Sequence, residues 1–459
     1  MPEIDSIAQG LTGELKKGRA DYLEARFEES ENSHITYRGR VVESVGRSAA
    51  SGGNVRALVK GGWGFTSFND FTGLNKRVSL AVDQAKAAGH GKSELAEIPA
   101  VTDSVPSSAD KNPVGIPLEE KKKLLDEFNE ITWSTPNIQT STIGYSDSRK
   151  KIIFLSSDGS FIAQERADVT LRLTAIAAKG GEVQQVGLSL GSRGNFSAIT
   201  KIHQQVKEMA QHAVDLLTAP EVKGGEYTVV LDPVLAGVFV HEAFGHLSES
   251  DFVYENERMK DIMVLGKEFG GPQLNIIDSA SDPPGLRGSF KYDDEGVKAV
   301  KTYLIREGKL VGRLHSRETA AKMGEKPTGN ARAITYRFPP IVRMTNTYIV
   351  PGTASFNDII ADTKEGIYVK NWYGGVTSME MFTFSAGEAY MIRGGKIAEA
   401  VRPVKLTGNV FTTLKNIDAI GNDLDMNEGG GCGKGGQSPL AVSNGSPHIR
   451  IRHCLIGGK

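Results

Sequence analysis

Polar and apolar residues alternate over short runs through much of this chain, and apolar residues at helical spacing are confined to a few windows. That spacing predicts helices at residues 5–17, 72–88 and 202–217. A fourth opens at Pro117 and carries Leu124, Leu125, Phe128 and Ile131 on one side. Alternating runs predict strands at 22–28, 34–37, 41–44 and 55–59, and again through 152–155, 161–163 and 169–175. Gly61-Gly62-Trp63-Gly64 and Ser157-Asp158-Gly159 read as turns between them. Beyond residue 223 comes a strand at 227–231, a helix at 233–247, and then many short strands broken by glycine turns such as Gly394-Gly395.

The expected class is α+β. An α/β N-terminal region with antiparallel strands precedes a β-rich C-terminal domain carrying one metal-binding helix. The expected division is an α+β domain at 1–90, a connector at 91–117 and a middle α+β domain at 118–222, with the β-rich domain at 223–459. Pro99, Pro106, Pro113 and Pro117 mark the connector, which reads as exposed chain.

Composition narrows the function classes. With 459 residues, 39% hydrophobic and 24% charged, the chain has the make-up of a globular protein of several domains. A net charge of -1 provides no basic field for nucleic acid. Lys121-Lys122-Lys123 beside Glu119 and Glu120 reads as a solvated helix face. No apolar window approaches the roughly 20 residues of a membrane span, and Met1–Asp5 lacks the character of a signal peptide. Two cysteines, Cys432 and Cys454, make no disulfide framework, so a cytoplasmic location is expected.

The chemistry-bearing stretch is His241-Glu242-Ala243-Phe244-Gly245-His246, followed by Glu249. Two histidines four apart share one side of a helix and can share a metal. Here they are five apart, which on a regular helix leaves them roughly 140° from each other. A π-type turn would realign them, as would a bend at Gly245, so an irregular helix is expected. Glu242 is placed to act as general base toward a metal-activated water. Two imidazoles need a third protein ligand. Cys432, Cys454, His315, His448, His453 and carboxylates such as Glu249 are candidates. Cys432 is favoured because its glycine-rich loop admits close approach and Lys434 would favour a thiolate. Cys454, in an alternating terminal run, reads as a small buried hydrophobe. A thiolate with two imidazoles leans toward zinc.

These residues resemble the TldD/PmbA family of metallopeptidases, in particular its TldD-type, catalytic branch. The likeness extends to Gly288-Ser289-Phe290 with Asp293-Asp294-Glu295-Gly296, to Thr328-Gly329-Asn330-Ala331-Arg332 and to Arg343-Met344-Thr345-Asn346-Thr347-Tyr348. It also takes in residues 431–437 and, more weakly, Gly61-Gly62-Trp63-Gly64-Phe65. The resemblance implies one Zn2+ per chain held by His241, His246 and Cys432, with Glu242 as the base. It implies hydrolysis of short or unfolded peptides and a dimer, either with itself or with a PmbA-type relative lacking the histidine motif. The alternative is a peptide-binding subunit with a structural, four-ligand metal that needs a partner chain for activity. Asp293, Asp294 and Glu295 are read as substrate or metal-supporting contacts or as a solvated acidic turn. Arg343 and Asn346 either line a cleft or cap a strand.

Overall fold

The computed structural model describes residues 4–17, 20–89, 91, 93–108, 112–378 and 380–457. Met1–Glu3 and connector residues 92 and 109–111 lie outside the described residues. Four long strands build the N-terminal half: β1 (Tyr22–Arg38), β2 (Val41–Val59), β5 (Ile138–Ser156) and β6 (Phe161–Lys179). With β3 (Gly62–Phe68), β4 (Thr102–Val105) and β7 (Glu182–Ser192) they form one sheet, ordered β3-β2-β1-β5-β6-β4 with β7 on the other part of β6. The separate runs expected at 22–28 and 34–37 are one strand. Glu29–Ser33 between them stay in register with both β2 and β5, so backbone pairing carries the ladder across a polar segment. The β1–β5 ladder also joins 1–90 to 118–222 in a single sheet.

Side chains alternate across a strand, and β1 uses its two faces differently. Leu23, Ala25, Phe27, Ile35 and Tyr37 all face the helices. The first three pack with α1 (Ile4–Leu15) and α2 (Leu74–Ala88), the last two with α3 (Leu118–Ser134) and α4 (His203–Asp215). Glu24, Arg26 and Glu28 are buried on the opposite face, against the C-terminal domain. At Gly64 the backbone of α2 lies so close that an added Cβ would overlap the Ala81 carbonyl oxygen. Gly64→Ala is therefore expected to destabilise the protein by about 1–3 kcal/mol, measurable as a lower urea midpoint.

Two expectations need correcting. The connector is not simply exposed chain: β4 pairs in parallel with β6, and Pro113 and Val114 are buried in a short 3-10 turn. Nor do the three lysines form a solvated face. Lys123 is exposed, but Lys121 is fully buried, its Nζ 2.5 Å from Asp147 Oδ2 and 2.8 Å from Ser33 Oγ. Lys121 precedes Leu125 by one helical turn and so shares the inward face of α3.

In the C-terminal half, β8 (Gly225–Leu231) lies centrally in a second seven-stranded sheet, between strands Glu365–Ser378 and Ile449–Gly457. A six-stranded sheet and two two-stranded ribbons complete this β-rich region. Directly after β8, Asp232 caps α5 (Pro233–Val240), accepting from the Leu235 N–H, and Pro233 occupies the first turn. Leu235 to Val240 are all buried, so α5 runs through the core and delivers the following residues to its interior.

Candidate metal centre

At His241 the α-helical pattern of α5 gives way to a π turn, His241–Gly245, closed by the His246 N–H bonding to the His241 carbonyl five residues back. A short 3-10 turn, His246–Ser248, follows. Of the two routes to alignment, the chain takes the wider turn rather than a bend, for Gly245 keeps ordinary right-handed helical angles. Gly245 is needed for packing instead, because a Cβ there would overlap the buried Met344 sulfur. The two imidazoles end 5.2 Å apart between ring centres, nearly perpendicular.

The third donor comes from far along the chain. Cys432 starts a short strand, Cys432–Lys434, paired with Gln437–Leu440 in a two-stranded ribbon. Arg343, fully buried, fixes this ribbon by donating to the carbonyls of Cys432 (2.7 Å) and Gln437 (3.1 Å). Cys432 Sγ lies 3.4 Å from His246 Nε2, and the donor atoms of His241, His246 and Cys432 all fall within 4.8 Å of one another. It is the one such group of metal-binding donors among the described residues.

The surrounding charges suit a cation. Burial would raise the Cys432 thiol, but His241 and then His246 outweigh it and bring its pKa down to about 5. Burial disfavours charge on His246, yet Glu249 and Cys432 hold its pKa well above the usual imidazole range. Glu249 Oε2 meets His246 Nδ1 at 3.0 Å, which leaves Nε2 facing the sulfur. His241 Nδ1 is buried with no hydrogen-bond partner among the described residues. A thiol poised as thiolate, two imidazoles and an orphaned ring nitrogen fit a divalent metal of the zinc type.

Lys434 bonds to carboxylates and not to the thiol. Its Nζ pairs with Asp251 Oδ1 (2.6 Å) and Glu249 Oε2 (3.0 Å), and so restrains the carboxylate that orients His246. Glu242 is half-buried and makes no hydrogen bond or ion pair with the described residues.

The remaining candidates lie elsewhere. Cys454 is buried in the terminal strand opposite Tyr227, where burial pushes its thiol up to about 12. His315 bonds with Ser250, Thr319 and Glu325, His448 with Asp423 and Tyr368, and His453 with Glu226. The acidic turn is not solvated: Asp293, Asp294 and Glu295 are buried, the latter two paired with arginines of the N-terminal sheet. Asn346 ties Gly288, Ser279 and Ser289 together by hydrogen bonds. The roles of Arg343 and Met344 in seating the ribbon and the π turn had no local signal in the sequence.

Two imidazoles on one irregular helical segment and a distant thiol, gathered within 4.8 Å, make a candidate metal-binding centre. Comparison with known proteins is in accord. The PmbA/TldA metallopeptidase C-terminal domain matches residues 224–458, its domain 1 residues 23–88 and its central domain residues 111–217. The chain belongs to this PmbA/TldA (TldD/PmbA) metallopeptidase family.

It is 48% identical to a metalloprotease of Synechocystis sp., over 96% of both chains. It is 30% identical to a zinc metalloprotease TldD homolog of Saccharolobus solfataricus, over 90% of this chain and 91% of that one. Among solved structures, a Thermotoga maritima protein superposes with a TM-score of 0.80 at 19% identity, covering 99% of this chain and 100% of that one. TldE from Thermococcus kodakarensis gives 0.78 at 16%, covering 98% and 100%. At such identities these two likenesses speak for the fold alone.

Proposed function

We propose that this chain hydrolyses peptide bonds in short or unfolded peptides, using one Zn2+ held by His241, His246 and Cys432. The observation that carries the reading is the convergence of those three donors within 4.8 Å. Zinc bound there would supply Lewis acidity toward the scissile carbonyl and a water acidic enough to be deprotonated near neutral pH. Glu242, adjacent to a ligand and with no hydrogen bond or ion pair among the described residues, would take a proton from such a water and return it to the departing amine. Glu249 keeps the His246 ring oriented, and Arg343 holds the Cys432 backbone in place. The ribbon carrying Cys432 has no third strand among the described residues, so an extended peptide can add to its edge through main-chain hydrogen bonds. Such binding tolerates many sequences. The same reading includes action in the cytoplasm as a homodimer or beside a PmbA-type relative.

The alternative, a closed structural metal in a peptide-binding subunit, would need a fourth donor, and Cys454 stands outside the cluster. Metal analysis of the purified protein tests the ligand set. Wild type and Cys454→Ala should each hold about one zinc per chain, and Cys432→Ala less than about a tenth of that. Full zinc retention in Cys432→Ala would overturn the assignment.

A further inference from the structure

Between the polar face of the N-terminal sheet and the C-terminal domain lies a cleft of about 590 Å³. Arg26, Arg166, Arg172, Arg193, Arg287 and Arg332 all line it. Only part of this charge is answered. Arg26 pairs with Glu28 at 2.9 Å and shares Asp294 with Arg166, which also donates to the Tyr292 carbonyl, and Arg287 pairs with Asp168. Arg332 donates only to the carbonyls of Met344 and Ala441, while Arg172 and Arg193 have no hydrogen bond or ion pair with a described residue.

Several donors on the walls are left over. Nε and Nη1 of Arg26, Nε of Arg166 and Nε of Arg332 are buried with no hydrogen-bond partner among the described residues, and Arg26 and Arg332 are only 3% and 4% exposed. The Phe290 ring lies 4.9 Å from the Arg166 guanidinium and 5.1 Å from that of Arg332, which holds both planes in place. Burial first, and then the like charges of Arg166 and Arg343, disfavour the cationic form of Arg332. Burial and Arg166 do the same to Arg193. Buried cations short of acceptors are costly to keep unless an anion joins them.

The cleft also borders the metal centre. Pro439, Leu440 and Ala441 form part of its wall, and Leu440 pairs directly with Cys432 in the ribbon. Arg287 reaches the carbonyls of Glu428 and Gly430 just before that cysteine. A planar, forked acceptor matches guanidinium donors, and a peptide carries such groups as carboxylates.

We infer that this cleft is a carboxylate-recognition subsite, which receives an acidic side chain or the C-terminal carboxylate of the peptide bound at the neighbouring ribbon. The inference rests on the peptidase reading of the metal centre. It makes the enzyme selective for acidic or free-ended peptides while the ribbon edge remains tolerant of sequence.

Calorimetric binding to the zinc-loaded, full-length Glu242→Gln protein tests it without requiring turnover. Three matched decapeptides serve as probes: one with internal glutamates and an amidated end, one with glutamines and a free carboxylate, and one with glutamines and an amidated end. At least one acid-bearing peptide should bind about tenfold tighter than the neutral one, and which of them does so identifies the source of the carboxylate. In an Arg172→Gln, Arg193→Gln double variant, whose replaced side chains make no hydrogen bond or ion pair with the described residues, the advantage should fall below about twofold. Equal binding of all three peptides, or a preference that survives the double substitution, would overturn the inference. So would binding of inorganic phosphate without discrimination among the peptides. Wild-type cleavage is scored separately. Acid-selective binding with no cleavage of any peptide sinks the catalytic reading and leaves the subsite, whereas cleavage without acid preference does the reverse.

Discussion

Glu242→Gln is expected to lower peptide turnover by a factor of about 10²–10⁴ and to leave zinc content unchanged. Glutamine has nearly the shape of glutamate but cannot accept a proton from water at neutral pH. The substitution is mild for the fold, because Glu242 is half-buried and has no ion pair or hydrogen bond among the described residues to lose. Its neighbour His241 and the π turn around it should keep their places, so metal and thermal stability report an intact site. A single-turnover assay with zinc quantified in the same sample separates lost chemistry from lost metal. Turnover equal to wild type would remove Glu242 from the mechanism.

Asp294→Ala should cost about 3–5 kcal/mol of stability, read as a large fall in the urea midpoint. The Asp294 side chain is fully buried between Arg26 (3.8 Å) and Arg166 (3.5 Å) and accepts the Ala333 N–H at 2.8 Å. Without it, two guanidiniums lose their shared counter-charge at the junction of the two halves. The pH dependence has a definite sign. Burial raises the Asp294 carboxyl, but Arg26 and Arg166 outweigh it and hold the pKa below the ordinary 3.8. A depressed carboxyl contributes stability above its unfolded pKa and loses it as pH falls through the folded one. The gap between wild type and Asp294→Ala should therefore be full at neutral pH and narrow below about pH 4. Asp293 runs the other way: burial and then Glu295 push its pKa well up, so its term weakens the fold as pH rises above 3.8. A gap that widens in acid would contradict this account.

Much of the fold was legible because it is written in local periodicity. The helix expected at 72–88 and found at Leu74–Ala88, the turn at Ser157-Asp158-Gly159 and the strand-helix unit around Asp232 and Pro233 each rest on neighbours in the chain. Periodicity misled where backbone pairing or burial came from distant residues. Glu29–Ser33 look like a break but are held by two partner strands, and Lys121 looks solvated but is buried against Asp147. The Asp293-Asp294-Glu295 turn has the composition of a surface loop, but Arg26, Arg56 and Arg166 from the other half, together with backbone N–H groups of its own half, hold it inside.

The candidate site divides along the same line. Spacing alone required that His241 and His246 could share an ion only through an irregular helix, since five residues do not close a regular turn. Which irregularity the chain adopts, and that Gly245 makes room for Met344, depended on what packs there. Cys432 lies 186 residues beyond His246, and no local rule places a thiol across that distance. Arg343, a six-stranded sheet and the paired ribbon bring it in, because through-space contacts rather than chain neighbours set its position.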